Sequence, residues 1–411
     1  MTNLPQGWKW KSLGEICFIT DGTHKTPNYI ETGIPFLSVK NISKGFFDLS
    51  DVKYISLEEH NKLIKRAKPE FGDILICRIG TLGKAIKISL EFEFSIFVSL
   101  GLLKPKVKII SDYLVYFLNS CFIEEWINDN KVGGGTHTAK LNLNILEKCP
   151  IALPPLKEQE RIVGILDESF AKIDESIKIL EQDLLNLDEL MQSALQKAFN
   201  PLKDNAKENY KLPQGWEWKN LGEIANTSSG GTPSRNKKEY WENGNIKWLK
   251  SGELNDGYID FIEENITEEA IKNSSAKIFQ KGTLLIAMYG ATAGKLGILN
   301  LDSTTNQAIC AFLHKDKNIK FLEKFLFYFL FFLRDKIIKD SFGGAQPNIN
   351  QTYIKNLQIP LPPIKEQEQI ASHLDELSSH VKNLKQNYQA QIKDLQELKN
   401  SLLDKAFKGE L

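Results

Sequence analysis

Two long stretches of the chain carry apolar residues at alternating steps of three and four. They lie at residues 156–199 and 364–408. A repeat near 3.5 residues predicts helices that pack as a coiled coil. Each predicted helix has about 44 residues and is therefore roughly 66 Å long at a rise of about 1.5 Å per residue. A single helix of this length cannot cover its own apolar stripe, so we expect each helix to pack against a partner.

The sequence leaves three arrangements of these helices open. Antiparallel packing of one helix on the other would relate the two halves of the chain by a two-fold axis. Parallel packing would bring both globular segments to the same end of the helix pair. In the third arrangement, each helix packs only on its own globular segment.

An internal repeat frames the two helices. Residues 4–16 read LPQGWKWKSLGEI and residues 212–224 read LPQGWEWKNLGEI, so the motif returns at an offset of 208. At the same offset, LPPLKEQERI at 153–162 returns as LPPIKEQEQI, and KAF at 197–199 returns at 405–407. The segments between the first two motifs, roughly 17–152 and 225–360, are almost unrelated in sequence. This pattern predicts one scaffold that presents two different recognition surfaces.

Both unrelated segments have the pattern of mixed α+β domains. Short apolar runs predict strands at 74–77 and 96–98 in the first segment and at 284–287 and 308–312 in the second. An aromatic helix is predicted late in each segment, over 112–126 and 321–338. We interpret the apolar run at 325–333 as a buried helix, because it is far shorter than the ~20 residues that span a bilayer.

Composition narrows the class of protein without naming it. With 42% apolar residues and a formal net charge of zero, the chain has material for real cores but no overall basic character. The five cysteines are scattered, which argues against a disulfide framework or a structural zinc site and favours a reducing cytoplasm. We expect no signal peptide and no membrane association.

No catalytic motif is apparent in the sequence. The glycine-rich turns that end at Lys84 and Lys295 lack the pattern of a phosphate-binding P-loop, because Ala and Leu follow the two lysines. The LPP motifs lack the polar and aromatic residues that flank the Pro-Pro pair of an amino-methyltransferase. The sequence therefore predicts a protein that is not an enzyme and holds neither cofactor nor metal.

Several polar loops have the chemistry to contact DNA. Arg and Lys suit guanine, Asn and Gln suit adenine, and Ser and Thr bind either base edges or phosphate. A glycine turn that brings the backbone near a phosphate and an ordinary hairpin turn both fit the segments around Lys84 and Lys295. The candidate DNA-binding residues are Thr23, His24, Lys25, Arg78, Lys84, His137 and Lys140 in the first segment and Thr232, Ser234, Arg235, Lys237, Lys250, Lys295, Gln346 and Asn348 in the second.

The repeated motifs, taken together, resemble the specificity subunit of type I restriction-modification systems over the whole chain. The segment GGTPS at 230–234, with Tyr240, Trp241 and Trp248, also resembles target-recognition domains of that family. The first segment departs from this pattern and keeps only DGTH at 21–24.

The resemblance implies a specific organisation. Two target-recognition domains would each read one half of a split target in double-stranded DNA, and an antiparallel helix pair would set the spacing. Modification subunits, expected to be two, would supply the S-adenosylmethionine chemistry, and restriction subunits would add translocation. The implied boundaries are 1–155 and 212–363 for the recognition domains, 156–200 and 364–411 for the spacer helices, and 201–211 for the linker.

Two other functions stay open from the sequence alone. One is an interaction scaffold without DNA specificity, such as an inactive paralogue. The other is a self-contained methyltransferase or nuclease, which would need cofactor binding by this chain.

Overall fold

The computed structural model describes residues 4–133, 139–199, 212–315, 321–341 and 348–411. The chain forms two compact units. The first unit consists of residues 1–181 and 388–411, and the second consists of residues 182–387. Each unit therefore contains one globular segment together with a part of each long helix.

The first globular segment contains nine strands and five short helices among its described residues. The strands are β1 (Lys9–Ser12), β2 (Cys17–Asp21), β3 (Ile34–Leu37), β4 (Lys53–Ile55), β5 (Ile74–Cys77), β6 (Ala85–Lys87), β7 (Ser95–Ile96), β8 (Leu100–Pro105) and β9 (Pro150–Leu153). The helices are α1 (Leu13–Ile16), α2 (Leu57–Leu63), α3 (Ser111–Leu118), α4 (Cys121–Asn130) and α5 (Leu143–Leu146), with a 3₁₀ turn at Val39–Asn41. The first long helix, α6, follows at Leu156–Phe199.

The second globular segment repeats this plan with some changes. Its strands are β10 (Glu217–Asn220), β11 (Ala225–Ser229), β12 (Ile246–Leu249), β13 (Gly257–Ile259), β14 (Asn265–Ile266), β15 (Ile278–Phe279), β16 (Leu284–Ala287), β17 (Leu296–Leu299), β18 (Ser303–Thr305), β19 (Ile309–His314) and β20 (Gln358–Leu361). Its helices are α7 (Leu221–Ile224), α8 (Glu268–Lys272), α9 (Glu323–Lys339) and α10 (Gln351–Asn356), with 3₁₀ turns at Lys238–Tyr240 and Ser251–Glu253. The second long helix, α11, is Ile364–Lys408.

Each unit is built on a mainly antiparallel central sheet. Its strand order is β2-β8-β5-β6 in the first unit and β11-β19-β16-β17-β13 in the second. A second sheet lies beside it, with the orders β4-β3-β7 and β14-β12-β18-β15. Strands β5 and β16 are buried along their whole length, which explains their uninterrupted apolar sequences. The predicted α+β class with an internal repeat is confirmed.

A third, two-stranded sheet explains why the LPQGW and LPP motifs are repeated together. Strand β1 pairs with β9, and β10 pairs with β20, so each LPQGW motif lies beside an LPP motif. The LGE sequence forms a capping box, in which the Glu15 carboxylate accepts from the Ser12 N–H and the Ser12 hydroxyl accepts from the Glu15 N–H. Glu223 and Asn220 repeat this cap in the second unit.

A buried glutamine in each LPP motif ties the long helix to its globular segment. The Gln159 side chain accepts from the Ile110 N–H and donates to the Pro154 carbonyl, each at 2.9 Å. Gln367 makes the same two contacts with Leu322 and Pro362, at 2.8 and 2.9 Å. Both glutamines are 1% exposed, so the KEQ sequence serves the scaffold.

Within each unit, the segments of the two long helices run antiparallel. In the first unit, Arg161 donates to the Leu411 carbonyl and Lys399 pairs with Asp174. Residue numbers therefore rise along one helix as they fall along the other. Lys385 pairs with Asp188 in the second unit. The prediction of antiparallel pairing is confirmed.

The helix segments also pack on the globular parts of their units, which the repeated KAF motif explains. Phe407 packs against Tyr113 and Phe117 in the first unit. Phe199 packs against Phe325, Phe329 and Phe332 of α9 in the second. The arrangement in which each helix packs only on its own globular segment is therefore wrong.

The predicted single helix over 112–126 is also wrong, because two helices occupy this region. Asn119 lies at the break, where its side chain donates to the Ala85 carbonyl at 2.8 Å and accepts from the Ala85 N–H at 3.1 Å. Ser120 follows with extended backbone geometry as the N-cap of α4, so one helix ends at Leu118 and the next begins at Cys121. The matching helix of the second unit, α9, is continuous and buries Phe325, Leu326 and Phe329. No helix of the described residues is long and apolar enough to span a bilayer.

Candidate nucleic-acid interface

In each unit, loops from three strands meet at one edge of the central sheet. In the first unit, β2 ends at Asp21 opposite Gly101, and β5 ends at Cys77 opposite Leu100. In the second, Ser229 lies opposite Cys310, and Ala287 lies opposite Ile309. The loops that carry most of the predicted DNA-binding residues leave the sheets here. We call this the reading edge of each unit. In the first unit it consists of the loops after β2 and β5, the loop before β8, and Lys140, which forms a β-bridge with Ile79. In the second it consists of the loops after β11 and β16, the loop before β19, and Asn348, which forms a β-bridge with Tyr289.

A glycine fixes the first loop of each reading edge. A Cβ atom on Gly22 would lie 2.0 Å from the Ile96 carbonyl oxygen, and one on Gly230 would lie 2.0 Å from that of Thr305. Neither position can carry a side chain. The next residue then donates its N–H to the same carbonyl, at 3.1 Å for Thr23 and 2.9 Å for Gly231. The two loops are therefore held in the same way.

Asp21 is the centre of a charged cluster at the first reading edge. Its carboxylate is 1% exposed and accepts hydrogen bonds from Arg66, from Arg78 and from His24, the last at 3.0 Å. Burial opposes ionisation of Asp21, but the hydrogen bonds from Arg66 and Arg78 and the charge of Arg78 hold its pKa below the ordinary value. His24 remains exposed at the rim of this cluster.

The structure places Arg78 where it supports the loops. The residue is 8% exposed, and its guanidinium donates to Asp21 and to the carbonyls of Leu141 and Val98, at 2.9 and 3.3 Å. A DNA contact by Arg78 would break these buried bonds, so the geometry argues against that prediction. Sequence reasoning missed Arg66, whose guanidinium reaches Asp21 from 45 residues away.

The remaining predicted residues of the first segment are not all brought together. The hydroxyl of Thr23 accepts from the Lys25 N–H at 3.2 Å and shapes the turn, which leaves Lys25 exposed. Lys140 is exposed and forms backbone hydrogen bonds with Val132. The Lys84 side chain lies close to Gly45. A Cβ atom on Gly45 would be 3.0 Å from the Cε atom of Lys84. His137 lies outside the described residues.

The second reading edge carries a polar cluster in place of the charged one. Thr232 donates its hydroxyl proton to the Gln307 Oε1 at 2.5 Å. Burial raises the pKa of Tyr289, although a hydrogen bond from Gln307 to its hydroxyl opposes this rise. Asn348 forms a β-bridge with Tyr289. Gln346, which precedes Asn348, lies outside the described residues. Sequence reasoning missed Gln307 and Tyr289, since nothing local links them to Thr232.

A second feature of this unit is a tryptophan-bound arginine. The Arg235 guanidinium lies 3.7 Å from the Trp241 ring centroid and 4.8 Å from that of Trp248. It also pairs with Glu264 at 2.7 Å, and so does Lys250. Burial raises the pKa of Glu264, but the hydrogen bonds and charges of Lys250 and Arg235 outweigh burial and hold the pKa below its ordinary value. Arg235 and Lys250 thus share the Glu264 carboxylate, and both side chains remain partly exposed.

Three further predicted residues surround these loops. The Ser234 carbonyl accepts the Trp241 indole N–H at 3.1 Å, which anchors the loop. Lys237 lies over the Tyr240 ring and donates to its hydroxyl at 3.0 Å. Lys295 lies 3.7 Å from Asp256, which is also paired with Arg334. Lys237 is exposed and Lys295 is half-exposed, so both ammonium groups are available to phosphate oxygens.

The two reading edges place different residues at equivalent positions. Equivalence follows from matching backbone bonds: Arg78 donates to Ser99 and accepts from Leu141, while Met288 donates to Ala308 and accepts from Ile349. By the same criterion, four pairs of positions correspond across the edges. They are His24 with Thr232, Ile79 with Tyr289, Val98 with Gln307, and Lys140 with Asn348.

The described residues contain no group of three or more His, Cys, Asp or Glu side chains with metal-binding geometry. Cys17, Cys77, Cys149 and Cys310 are buried, and burial raises the pKa of each thiol to about 12. A thiol with such a pKa is a poor nucleophile. The described side chains of the reading edges therefore offer hydrogen bonds and charge to a ligand.

Comparison with known proteins gives a consistent result. The sequence model described as "Type I restriction modification DNA specificity domain" matches residues 5–184 and again residues 213–394. The StySPI type I restriction enzyme specificity subunit of Salmonella potsdam is 28% identical, over 99% of this chain and 90% of its own. The EcoKI specificity subunit of Escherichia coli K12 is 26% identical with the same coverage.

Two solved structures share the fold. A chain from a study of assembly and conformational transition of a type I restriction-modification system matches with a TM-score of 0.80 at 24% identity, over 100% of both chains. The HsdS subunit of Thermoanaerobacter tengcongensis matches with a TM-score of 0.60 at 23% identity, over 100% of this chain and 99% of that one. With two copies of the family sequence model covering most of its length, the chain belongs to the type I restriction-modification DNA specificity family.

Proposed function

We propose that each unit reads one half of a bipartite DNA target and that the two long helices set the distance between the halves. One observation carries this proposal: the same reading edge is built twice, with different side chains at equivalent positions. His24 and Lys140 stand in one edge where Thr232 and Asn348 stand in the other. A repeated scaffold with altered contact residues is what two different half-sites require.

The exposed polar residues of the reading edges are the proposed base contacts. They are His24 and Lys140 in the first unit and Thr232 and Asn348 in the second. Backbone phosphates are assigned to the cations around them, namely Lys25, Lys84, Arg235, Lys237, Lys250 and Lys295. This division follows the general rule that phosphate contacts position a protein on DNA while base contacts specify the sequence.

We assign the recognition domains to residues 1–155 and 212–363, and the spacer helices to 156–200 and 364–411. The helices α6 and α11 expose large apolar side chains, including Ile179, Leu185, Leu190, Leu384 and Leu398. Exposed apolar residues along a helix favour contact with a partner. We propose that modification subunits dock there, one for each half of the pseudo-symmetric frame, and carry out the methylation that this chain directs.

Exchange of one variable segment tests the proposal. Residues 225–357 are replaced by the equivalent segment of the StySPI relative, with the junctions placed so that β10, α7 and β20 remain native. The assembled methyltransferase is then expressed, and its methylated motif is read by methylome sequencing. We expect one half-site to change while the other half-site and the spacer length stay the same.

The reciprocal exchange of residues 17–149 is the matched control, and it should change only the opposite half-site. A change in both half-sites from either exchange would contradict the assignment of one half-site to each unit. A methylome that does not depend on the chain at all would contradict a role in DNA recognition.

A further inference from the structure

Gln307 occupies a prominent position at the second reading edge. It lies in the turn between β18 and β19, and its side chain is exposed. The backbone of this turn is fixed by the Asn306 N–H, which donates to the Leu249 carbonyl at 2.9 Å, and by the Asn306 side chain, which accepts from the Ala308 N–H at 3.1 Å. An exposed side chain on a rigid turn is well placed to meet a ligand.

A hydroxyl group holds one end of the Gln307 amide. Thr232 donates to its Oε1 at 2.5 Å. Thr232 comes from the loop after β11, so two separate loops meet at one exposed amide. An exposed glutamine ordinarily has free rotamers, and ordering it beforehand lowers the entropic cost of binding a ligand.

The held amide keeps a specific pair of unused hydrogen-bonding positions. An amide oxygen has two lone pairs and an amide nitrogen has two protons. Thr232 uses one lone pair of the oxygen, so one acceptor position and the N–H donors of the neighbouring nitrogen remain for a ligand. Adenine offers the complementary pair in the major groove, with a donor at N6 and an acceptor at N7. Guanine presents two acceptors there, cytosine presents a donor alone, and thymine presents an acceptor and a methyl group.

We propose that Gln307 reads an adenine in the half-site of the second unit, with Thr232 as its positioning residue. This inference rests on the proposed function, because it requires that the second reading edge faces bases. The equivalent position in the first unit is Val98, which has no side-chain hydrogen-bonding group. The proposed adenine contact therefore belongs to one half-site only.

The test replaces Gln307 with glutamate in the full chain, assembled with its modification subunits. A carboxylate still accepts the hydrogen bond from Thr232 but offers only acceptors to a base. It therefore loses the donor to adenine N7 and gains a fit to the cytosine N4 amino group. The substrate is a duplex library in which both half-sites are randomised, and the methylated products are sequenced. Segment exchange of residues 225–357 assigns the half-site of the second unit.

We expect the wild-type complex to prefer adenine at one position of that half-site. In the Gln307→Glu complex, the preference for adenine over cytosine at this position should fall by about tenfold to a hundredfold, the range given by a bidentate base contact. All other positions should keep their preferences. The retained preference at the first half-site also shows that the variant is folded.

Gln358→Glu is the matched control, because it makes the same charge change at an exposed position of β20. It should leave every preference unchanged. An unchanged adenine preference in Gln307→Glu, or a uniform loss of methylation across all sequences, would overturn the role of Gln307 while leaving the proposed function standing. A wild-type complex without preference at either half-site would overturn the proposed function itself.

Discussion

Asp21 and Arg78 show how one pair of residues sets the character of a reading edge. Their buried ion pair holds the loop after β2 against the loop after β5. The second unit has Ser229 and Met288 at the equivalent positions, and there Gln351 donates to the Ser229 hydroxyl at 2.5 Å. The same backbone geometry is thus supported by charge in one unit and by neutral hydrogen bonding in the other.

Asp21→Asn should destabilise the first unit locally, because it leaves the Arg78 guanidinium buried without its counter-charge. Breaking a buried pair in this way costs about 3–5 kcal/mol. We expect the low end, since two carbonyls still accept from Arg78. A loss of about 3 kcal/mol would reduce the hydrogen-exchange protection of β2 and β8 amides by roughly a hundredfold.

The double variant Asp21→Ser with Arg78→Met removes the buried charge together with its partner, so its loss of protection should be smaller than that of Asp21→Asn alone. Because the pKa of folded Asp21 is lowered, its contribution is complete above the unfolded value of about 3.9 and is lost as the pH falls through the folded value. The difference in exchange protection between wild type and Asp21→Asn should therefore not shrink between pH 7 and pH 5. A difference that already shrinks between these two values would contradict the ionised pair.

Single residues also mark the limit of prediction from the sequence. The exposed loop positions of His24, Lys25 and Thr232 follow from local glycine and threonine patterns. Gln307 does not, because its partner Thr232 is 75 residues away and only the fold brings the two side chains together. Arg78 has the composition of a DNA contact, but its burial depends on Asp21, which lies 57 residues away.

At the scale of elements, the long helices were the most predictable part of the chain. Their apolar repeat extends over many turns and is set by local sequence. The break between α3 and α4 has a local signal, because Asn119 and Ser120 are weak helix formers and Ser120 is the N-cap of α4. The contact of Asn119 with Ala85, 34 residues away, adds a tertiary anchor that the sequence does not show.

The buried glutamines make a testable claim about the join between helix and domain. Gln159→Leu would leave the Ile110 N–H and the Pro154 carbonyl without partners, at about 1–3 kcal/mol for each unpaired group. We expect the Ile110 amide to lose its exchange protection and the unit to unfold at a lower urea concentration. Gln182→Leu is the control on the exposed surface of α6, where a change within about 0.5 kcal/mol is expected. Equal effects of the two variants would show that the clamp does not stabilise the join.

At the scale of the whole molecule, the 208-residue repeat separates the scaffold from the recognition surfaces. The repeated motifs form the capped entry at α1 and α7, the glutamine clamp, and the helix ends that pack into each core. The unrelated segments form the reading edges. The scaffold could be predicted from the repeat, whereas the content of each edge could not, because it arises where distant loops converge.

Shortening the paired helices tests the central claim that reading and spacing are separate. The change deletes residues 178–184 and 389–395, one heptad from each helix, between the pairs Asp174–Lys399 and Asp188–Lys385. A heptad spans about 10 Å of helix, and DNA rises about 3.4 Å per base pair. The spacer in the methylated motif should therefore shorten by about three base pairs.

Three base pairs also turn the duplex by about 100°, so we expect slower methylation as well. The measurement is methylome sequencing of a strain that carries the shortened chain, beside one that carries the native chain. We expect a shorter spacer between two unchanged half-sites. Altered half-sites at an unchanged spacer would contradict this expectation.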